Sequence, residues 1–127
     1  MIEVFGPPDP GSPRPFSRAV RAGTLVFVSG TSAPHDPAQG IHRGATPAEQ
    51  VREALAEIAK ILAEAGSSLD QVVQVTMLIL DPADYVACNA EYVRHFPNAL
   101  PARHTARFGV PTEARVAFAC IATTIST

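Results

Sequence analysis

The chain contains no tryptophan, only two cysteines and a single lysine, and neither sign of charge dominates it. Each scarcity excludes something. Cys88 and Cys120 are far apart and match no metal or redox spacing, so two reduced, buried thiols are expected rather than a disulfide. The histidines, His35, His42, His95 and His104, show neither an i,i+4 pair nor an HExxH pattern, so no metal is expected. Ten Lys+Arg against twelve Asp+Glu leave a formal net charge of −2. That balance argues against a nucleic-acid partner, which would call for a broad basic face. No apolar run approaches the ~20 residues of a membrane helix. The first residues, Met1 to Phe5, lack a basic segment followed by an apolar one, so a cytoplasmic location is the expectation.

What is present describes a globular chain. Hydrophobic residues make up 46% and charged residues 17%, outside the range of disordered segments. A length of 127 residues points to one domain over residues 1–127. A chain this short leaves much surface exposed, and assembly would bury more of it. Nine of the ten cations are arginine, Lys60 being the exception. Arginine suits planar, bidentate recognition of carboxylates better than lysine does.

Residues 6–15 carry five of the twelve prolines and two glycines, which predicts an extended arm. Residues 19–30 read as two short strands around a turn at Gly23. Residues 31–45 are rich in Pro, Gly, Ser and Thr and read as a loop. Thr46-Pro47-Ala48-Glu49 is a capping box with proline at the first helical position. Val51, Leu55, Ile58 and Leu62 follow with helical period, and Gly66 supplies the stop. Residues 71–80 predict a strand with Val73, Val75, Met77 and Ile79 on one face and Val72, Gln74, Thr76 and Leu78 on the other. Asp81 is the expected N-cap of a second helix. Its apolar stripe is Tyr85, Cys88, Tyr92 and Phe96, with Asn89 beside it, and Pro97 and Pro101 follow. Residues 102–108 and 115–125 complete the set of strands, with another short one expected at residues 2–5. The pattern β-β-α-β-α-β predicts an α+β fold, one sheet with two helices on one face. The opposite face would stay open in a monomer, which is a physical argument for assembly.

The strand at 102–108 places Arg103, Thr105 and Arg107 on one side and His104, Ala106 and Phe108 on the other. Its two arginines lie roughly 7 Å apart at Cα from the strand rise. On a solvated face this is an ordinary polar strand; in a cleft it is an anion site.

Several segments resemble one family when taken in order. Pro101-Ala102-Arg103-His104-Thr105 resembles the PAR[S/T] signature of the RidA (YjgF/YER057c/UK114) family. Pro15-Phe16-Ser17-Arg18-Ala19-Val20 is similar to its PYSQAV opening, and Leu25-Val26-Phe27-Val28-Ser29-Gly30 to its LVFVSGQ strand. Asp81 through Tyr92 resembles its D-x-x-D-F-x-x-x-N-x-x-Y helix, and Arg115 to Thr123 its last strand. The resemblance implies a chorismate-mutase-like α+β fold and a homotrimer with clefts between subunits. It implies a cofactor-free deaminase of the 2-iminobutanoate/2-iminopropanoate type, hydrolysing small carboxylate-bearing enamines or imines to keto acids and ammonia. Arg103 then grips the substrate carboxylate as the catalytic residue, and Gly30, Phe16 and Asn89 line the pocket, with Thr105 and Arg107 on the same strand face as Arg103.

The chain also departs from the pattern. Phe16 lacks the tyrosine hydroxyl, and Thr31 replaces a glutamine. The last strand, V-E-I-E-A-I-A in typical deaminating members, is Val116-Ala117-Phe118-Ala119-Cys120-Ile121-Ala122 here, and one of those glutamates helps to position the hydrolytic water. Ala117 and Ala119 share a strand face, so both carboxylates are lost from one side. The expectation is a roomier, more cationic pocket around Arg103, suited to a larger or doubly anionic substrate. Cys120 has the opposite parity and reads as a core thiol, and His104 points away from Arg103. Two alternatives stand beside the deaminase: a non-catalytic module that binds small carboxylates, and, ranked last, an endoribonuclease of the L-PSP type, for which no basic stripe or poised histidine pair is visible.

Overall fold

The computed structural model describes residues 2–7 and 14–125. Part of the proline-rich arm, residues 8–13, lies outside the described residues. Six strands form one mixed sheet: β1 (Ile2–Phe5), β2 (Ala19–Ala22), β3 (Leu25–Ser32), β4 (Val72–Ile79), β5 (Ala102–Arg107) and β6 (Val116–Thr123). Two helices, α1 (Pro47–Glu64) and α2 (Tyr85–Tyr92), complete the fold. The strand order is β1-β2-β3-β6-β4-β5. The α+β class read from the sequence is therefore the one observed, and β1 is the short extra strand.

Helix α1 forms where its punctuation lies. The Thr46 side chain accepts from the Glu49 backbone N–H at 3.1 Å, and the Glu49 carboxylate accepts from the Thr46 N–H at 3.2 Å. A cap of this kind contributes about 1 kcal/mol. At the other end Gly66 adopts φ +85°, a left-handed conformation that costs glycine little. The Ser67 N–H then reaches back to the Leu62 carbonyl at 2.8 Å. Arg21 reaches the Ala65 carbonyl at 3.1 Å, tying the helix end to β2. The expected stripe, Val51, Leu55, Ile58 and Leu62, is buried against the sheet together with Val26, Val75, Met77 and Phe118.

Strand β4 departs from strict alternation. A register shift against β6 falls between Val72 and Gln74. Val72 is buried and Val73 is 47% exposed, the reverse of the expected assignment. From Val75 onward the alternation holds, with Val75, Met77 and Ile79 in the core. One inserted residue flips the side chain before it to the other face.

Strands β5 and β6 follow one another in sequence without pairing. β5 runs parallel to β4 at the sheet edge, whereas β6 lies antiparallel between β3 and β4. The loop that joins them is held at Arg115. Its backbone N–H donates to Gln50 Oε1 at 2.8 Å, and its guanidinium grips the buried Asp84 carboxylate at 3.0 and 3.2 Å. Asp84 precedes α2, so this ion pair fixes the start of that helix against β6. α2 ends at Tyr92 and continues as a 3-10 turn over Val93–His95. Cys88 and Cys120 are both buried free thiols. Burial pushes the Cys120 thiol up to about 12, which keeps it protonated and unreactive.

Candidate functional site

The helix face of the sheet carries the site at its β5 edge. Arg103 pairs in register with the core residue Val75, Thr105 with Met77 and Arg107 with Ile79. The three therefore point to the helix side, as the parity of the strand requires. α2 lies above that edge. The Arg103 guanidinium rests over the Tyr92 ring, 4.7 Å from its centroid, and 5.8 Å from that of Tyr85. Tyr92 in turn stacks on Phe118 of β6 at 5.8 Å. A cation held on an aromatic face gains about 0.5–2 kcal/mol, and here the platform is anchored in the core.

Among the described residues Arg103 has no carboxylate partner. Arg18, Arg43, Arg52, Arg94 and Arg115 all meet an acid. Arg103 instead donates to the Tyr85 hydroxyl at 3.3 Å, leaving most of its fork of five N–H groups for a ligand. Two polar atoms nearby on α2, Asn89 Oδ1 and Tyr92 Oη, are buried without a hydrogen-bond partner among the described residues. Such an atom costs about 1–3 kcal/mol when left unmatched, and native structures retain few of them. The Tyr85 phenol is drawn below its ordinary value, first by the Asn89 side chain and then by the Arg103 charge. Burial pushes the Tyr92 phenol the other way.

The structure brings Arg103, Asn89 and Thr105 to one edge. Arg107, on the same face, is exposed. Phe16 and Gly30 form a separate group. Gly30 sits in a bulge of β3, where the register against β6 shifts between Val28 and Thr31. The Ser29 hydroxyl donates to the Ser17 carbonyl at 2.6 Å, tying that bulge to the segment holding Phe16. Phe16 is half-exposed. Gly30 does not adopt a positive φ, and a Cβ there would meet nothing. Strands β6 and β4 separate β3 from β5. Three strand spacings amount to about 14 Å, too far for one small carboxylate to touch both groups.

Ala117 and Ala119 lie on the other side of the sheet. Ala119 is in register with Thr76 and Ala117 with Leu78. On that face His104 meets Thr76 Oγ1 at 2.9 Å and Gln74 Nε2 at 3.2 Å. Within one chain, therefore, the two alanines do not adjoin Arg103. Alternation along β6 ensures this, because Phe118 and Cys120 take the helix side. Tyr85 is the site residue that the apolar stripe concealed. Tyr85 is 41% exposed and its hydroxyl accepts from Arg103. The signal was a tyrosine at the phenylalanine place of the D-x-x-D-F pattern.

Among the described residues no group of three or more His, Cys, Asp and Glu could hold a metal. No helix among the described residues is long and apolar enough to cross a membrane.

Residues 8–124 match the family model described as Endoribonuclease L-PSP. The chain belongs to this family, known also as YjgF/RutC/RidA. It is 38% identical over 104 residues to the RutC family protein y4sK of Sinorhizobium fredii, covering 81% of this chain and 82% of that one. The chloroplastic Reactive Intermediate Deaminase A of Arabidopsis thaliana is 32% identical over 115 residues, 90% of this chain and 61% of that protein. A YjgF-family crystal structure from Neisseria meningitidis superposes with a TM-score of 0.82 at 29% identity, covering 100% of this chain and 98% of the other. In this YjgF/RutC/RidA chain Arg103 occupies an edge where a guanidinium, two phenols and an amide converge.

Proposed function

We propose that this family member is an enamine/imine deaminase that acts on small 2-imino acids without a cofactor. The observation that carries the reading is Arg103: a guanidinium on an aromatic platform, with no acid paired to it and two unsatisfied polar atoms nearby among the described residues. Such a group anchors a carboxylate by paired N–H donors. An enamine first takes a proton at its carbon to become the imine. Water then adds to the imine carbon beside the anchored carboxylate. The resulting amino alcohol expels ammonia and leaves the 2-oxo acid. Holding the carboxylate fixes the imine carbon and orients the face that water attacks. The relative named as a reactive intermediate deaminase supports the same chemistry. Arg107 sits two residues along on the same face and also lacks an acidic partner among the described ion pairs, so a second anionic group on the substrate would find a second cation.

The working unit in this reading is a homotrimer. The Phe16/Gly30 group and the Arg103 group are too far apart to share a ligand within one subunit, and a neighbour's Phe16/Gly30 group would complete the cleft. The sheet face opposite the helices also bears exposed Leu25, Phe27 and Val73, apolar area that assembly would cover. Sedimentation equilibrium should return three times the chain mass of 13.4 kDa. A monomer at micromolar concentration would remove this part of the proposal.

The activity is tested by generating 2-aminoacrylate in situ with a pyridoxal-phosphate dehydratase and following ammonia and pyruvate. The chain should accelerate release over buffer. A dicarboxylic imine, generated from the matching amino acid by an oxidase, probes the role of Arg107. Carboxylate binding without any acceleration on either substrate would leave the protein a binding module.

A further inference from the structure

We infer that Tyr85 and Arg103 form a two-donor clamp for the substrate carboxylate. The inference rests on the reading of Arg103 as the carboxylate anchor and adds a second group to it. Tyr85 Oη accepts a hydrogen bond from Arg103 Nη2 at 3.3 Å. Its own proton is not spent on Asn89 Oδ1, which has no partner among the described residues. The O–H can therefore donate outward, beside the guanidinium N–H groups that remain free. A carboxylate bound there takes one oxygen on the guanidinium and the other on the phenol. Tyr85 is exposed at the surface of the edge, so the ligand reaches it without displacing core residues.

The surroundings of the phenol also make the clamp sensitive to pH. The uncharged Asn89 side chain on its own helix favours the phenolate most, and Arg103 from β5 is the charged group that faces it. Tyr92, on the same helix, is shifted upward by burial. The Tyr85 phenol is shifted downward, so of the two phenols it ionises first as pH rises. The phenolate cannot donate to a carboxylate, and it pairs with the guanidinium that the ligand needs. Carboxylate affinity is present below the Tyr85 pKa and lost as pH rises through it.

The test is equilibrium binding of 2-oxobutanoate, an unreactive carboxylate, followed by NMR titration of the native assembly. The neutral 2-oxobutanamide serves as the control ligand. Tyr85→Phe should raise the Kd for 2-oxobutanoate by about ten- to a hundredfold, the span of a hydrogen bond to a charged group, with little effect on the amide. Binding by the unmodified protein should weaken between pH 7 and pH 10, and Tyr85→Phe should abolish that weakening over the same interval. Equal Kd values for the unmodified protein and Tyr85→Phe, with binding lost in Arg103→Ala, would overturn the clamp and leave the anchor standing. Undiminished binding by Arg103→Ala would overturn the anchor itself. The pH titration needs no variant, so a flat Kd from pH 7 to 10 also counts against the clamp even if Tyr85→Phe folds poorly.

Discussion

Arg103→Ala is expected to reduce kcat/KM for a 2-imino acid by about 10²–10³-fold while lowering stability by only about 0.5–2 kcal/mol. The size of the rate effect follows from losing a charge-assisted contact to an ionised substrate group, worth about 3–4 kcal/mol in a partly desolvated site. The small stability loss follows from what Arg103 does in the free protein. It rests on the Tyr92 ring and donates a hydrogen bond to Tyr85, and it makes no ion pair with a carboxylate among those described. Removing it therefore strands no buried charge, which is the costly outcome when a buried pair is broken. Arg103→Lys should recover only part of the rate, because an ammonium keeps the charge but lacks the planar fork. Steady-state ammonia release across substrate concentrations, together with thermal denaturation of both variants, checks all three expectations. An alanine variant with unaltered kcat/KM would remove Arg103 from the reaction. One that lost activity by unfolding would show Arg103 to be structural.

Phe118→Ala should destabilise the fold by about 3–5 kcal/mol. Phe118 is 0% exposed, and its ring is stacked against Tyr92 at 24° between planes. The surrounding shell includes Leu55, Ile58 and Met77, all buried. A large aromatic side chain removed from such a place leaves a cavity that the sheet cannot close, since β6 is held by β3 on one side and β4 on the other. For a domain with the usual 5–15 kcal/mol of stability, this is a large fraction. The substitution also loosens the platform beneath Arg103, so carboxylate binding should weaken at temperatures where the variant remains folded. Chemical denaturation measures the first effect and 2-oxobutanoate titration the second. A loss below about 1 kcal/mol would mean that the core repacks around the gap and that Tyr92 is held from elsewhere.

Local signals in the sequence were reliable where local physics governs. Thr46, Pro47 and Glu49 marked the start of α1, Gly66 marked its end, and the apolar period between them marked its buried face. Strict alternation located Arg103, Thr105 and Arg107 on one face of β5. Alternation misled at Val72 and Val73, because a one-residue shift in register depends on the partner strand and not on the strand itself. The apolar stripe on α2 was legible too, but it classed Tyr85 with the core. A tyrosine has an apolar ring and a polar tip, and composition does not say which of the two meets a neighbour.

The absence of tryptophan, the scarcity of cysteine and lysine and the near balance of charge already determined much. They gave reason to expect neither a disulfide nor a broad nucleic-acid-binding face, and they turned attention to the arginines. Local pattern determined the α+β class, the helix limits and the side of the strand from which Arg103 projects, because each depends on residues close together in the chain. Only the tertiary structure decided what Arg103 meets. Parallel pairing of β5 with β4, and the return of β6 to lie between β3 and β4, are long-range choices. They set the guanidinium over Tyr92, brought Tyr85 within hydrogen-bond reach, and put Ala117 and Ala119 on the far face of the sheet. The physical reason is that strand order is chosen by burial summed over the whole sheet, and no single segment carries that sum.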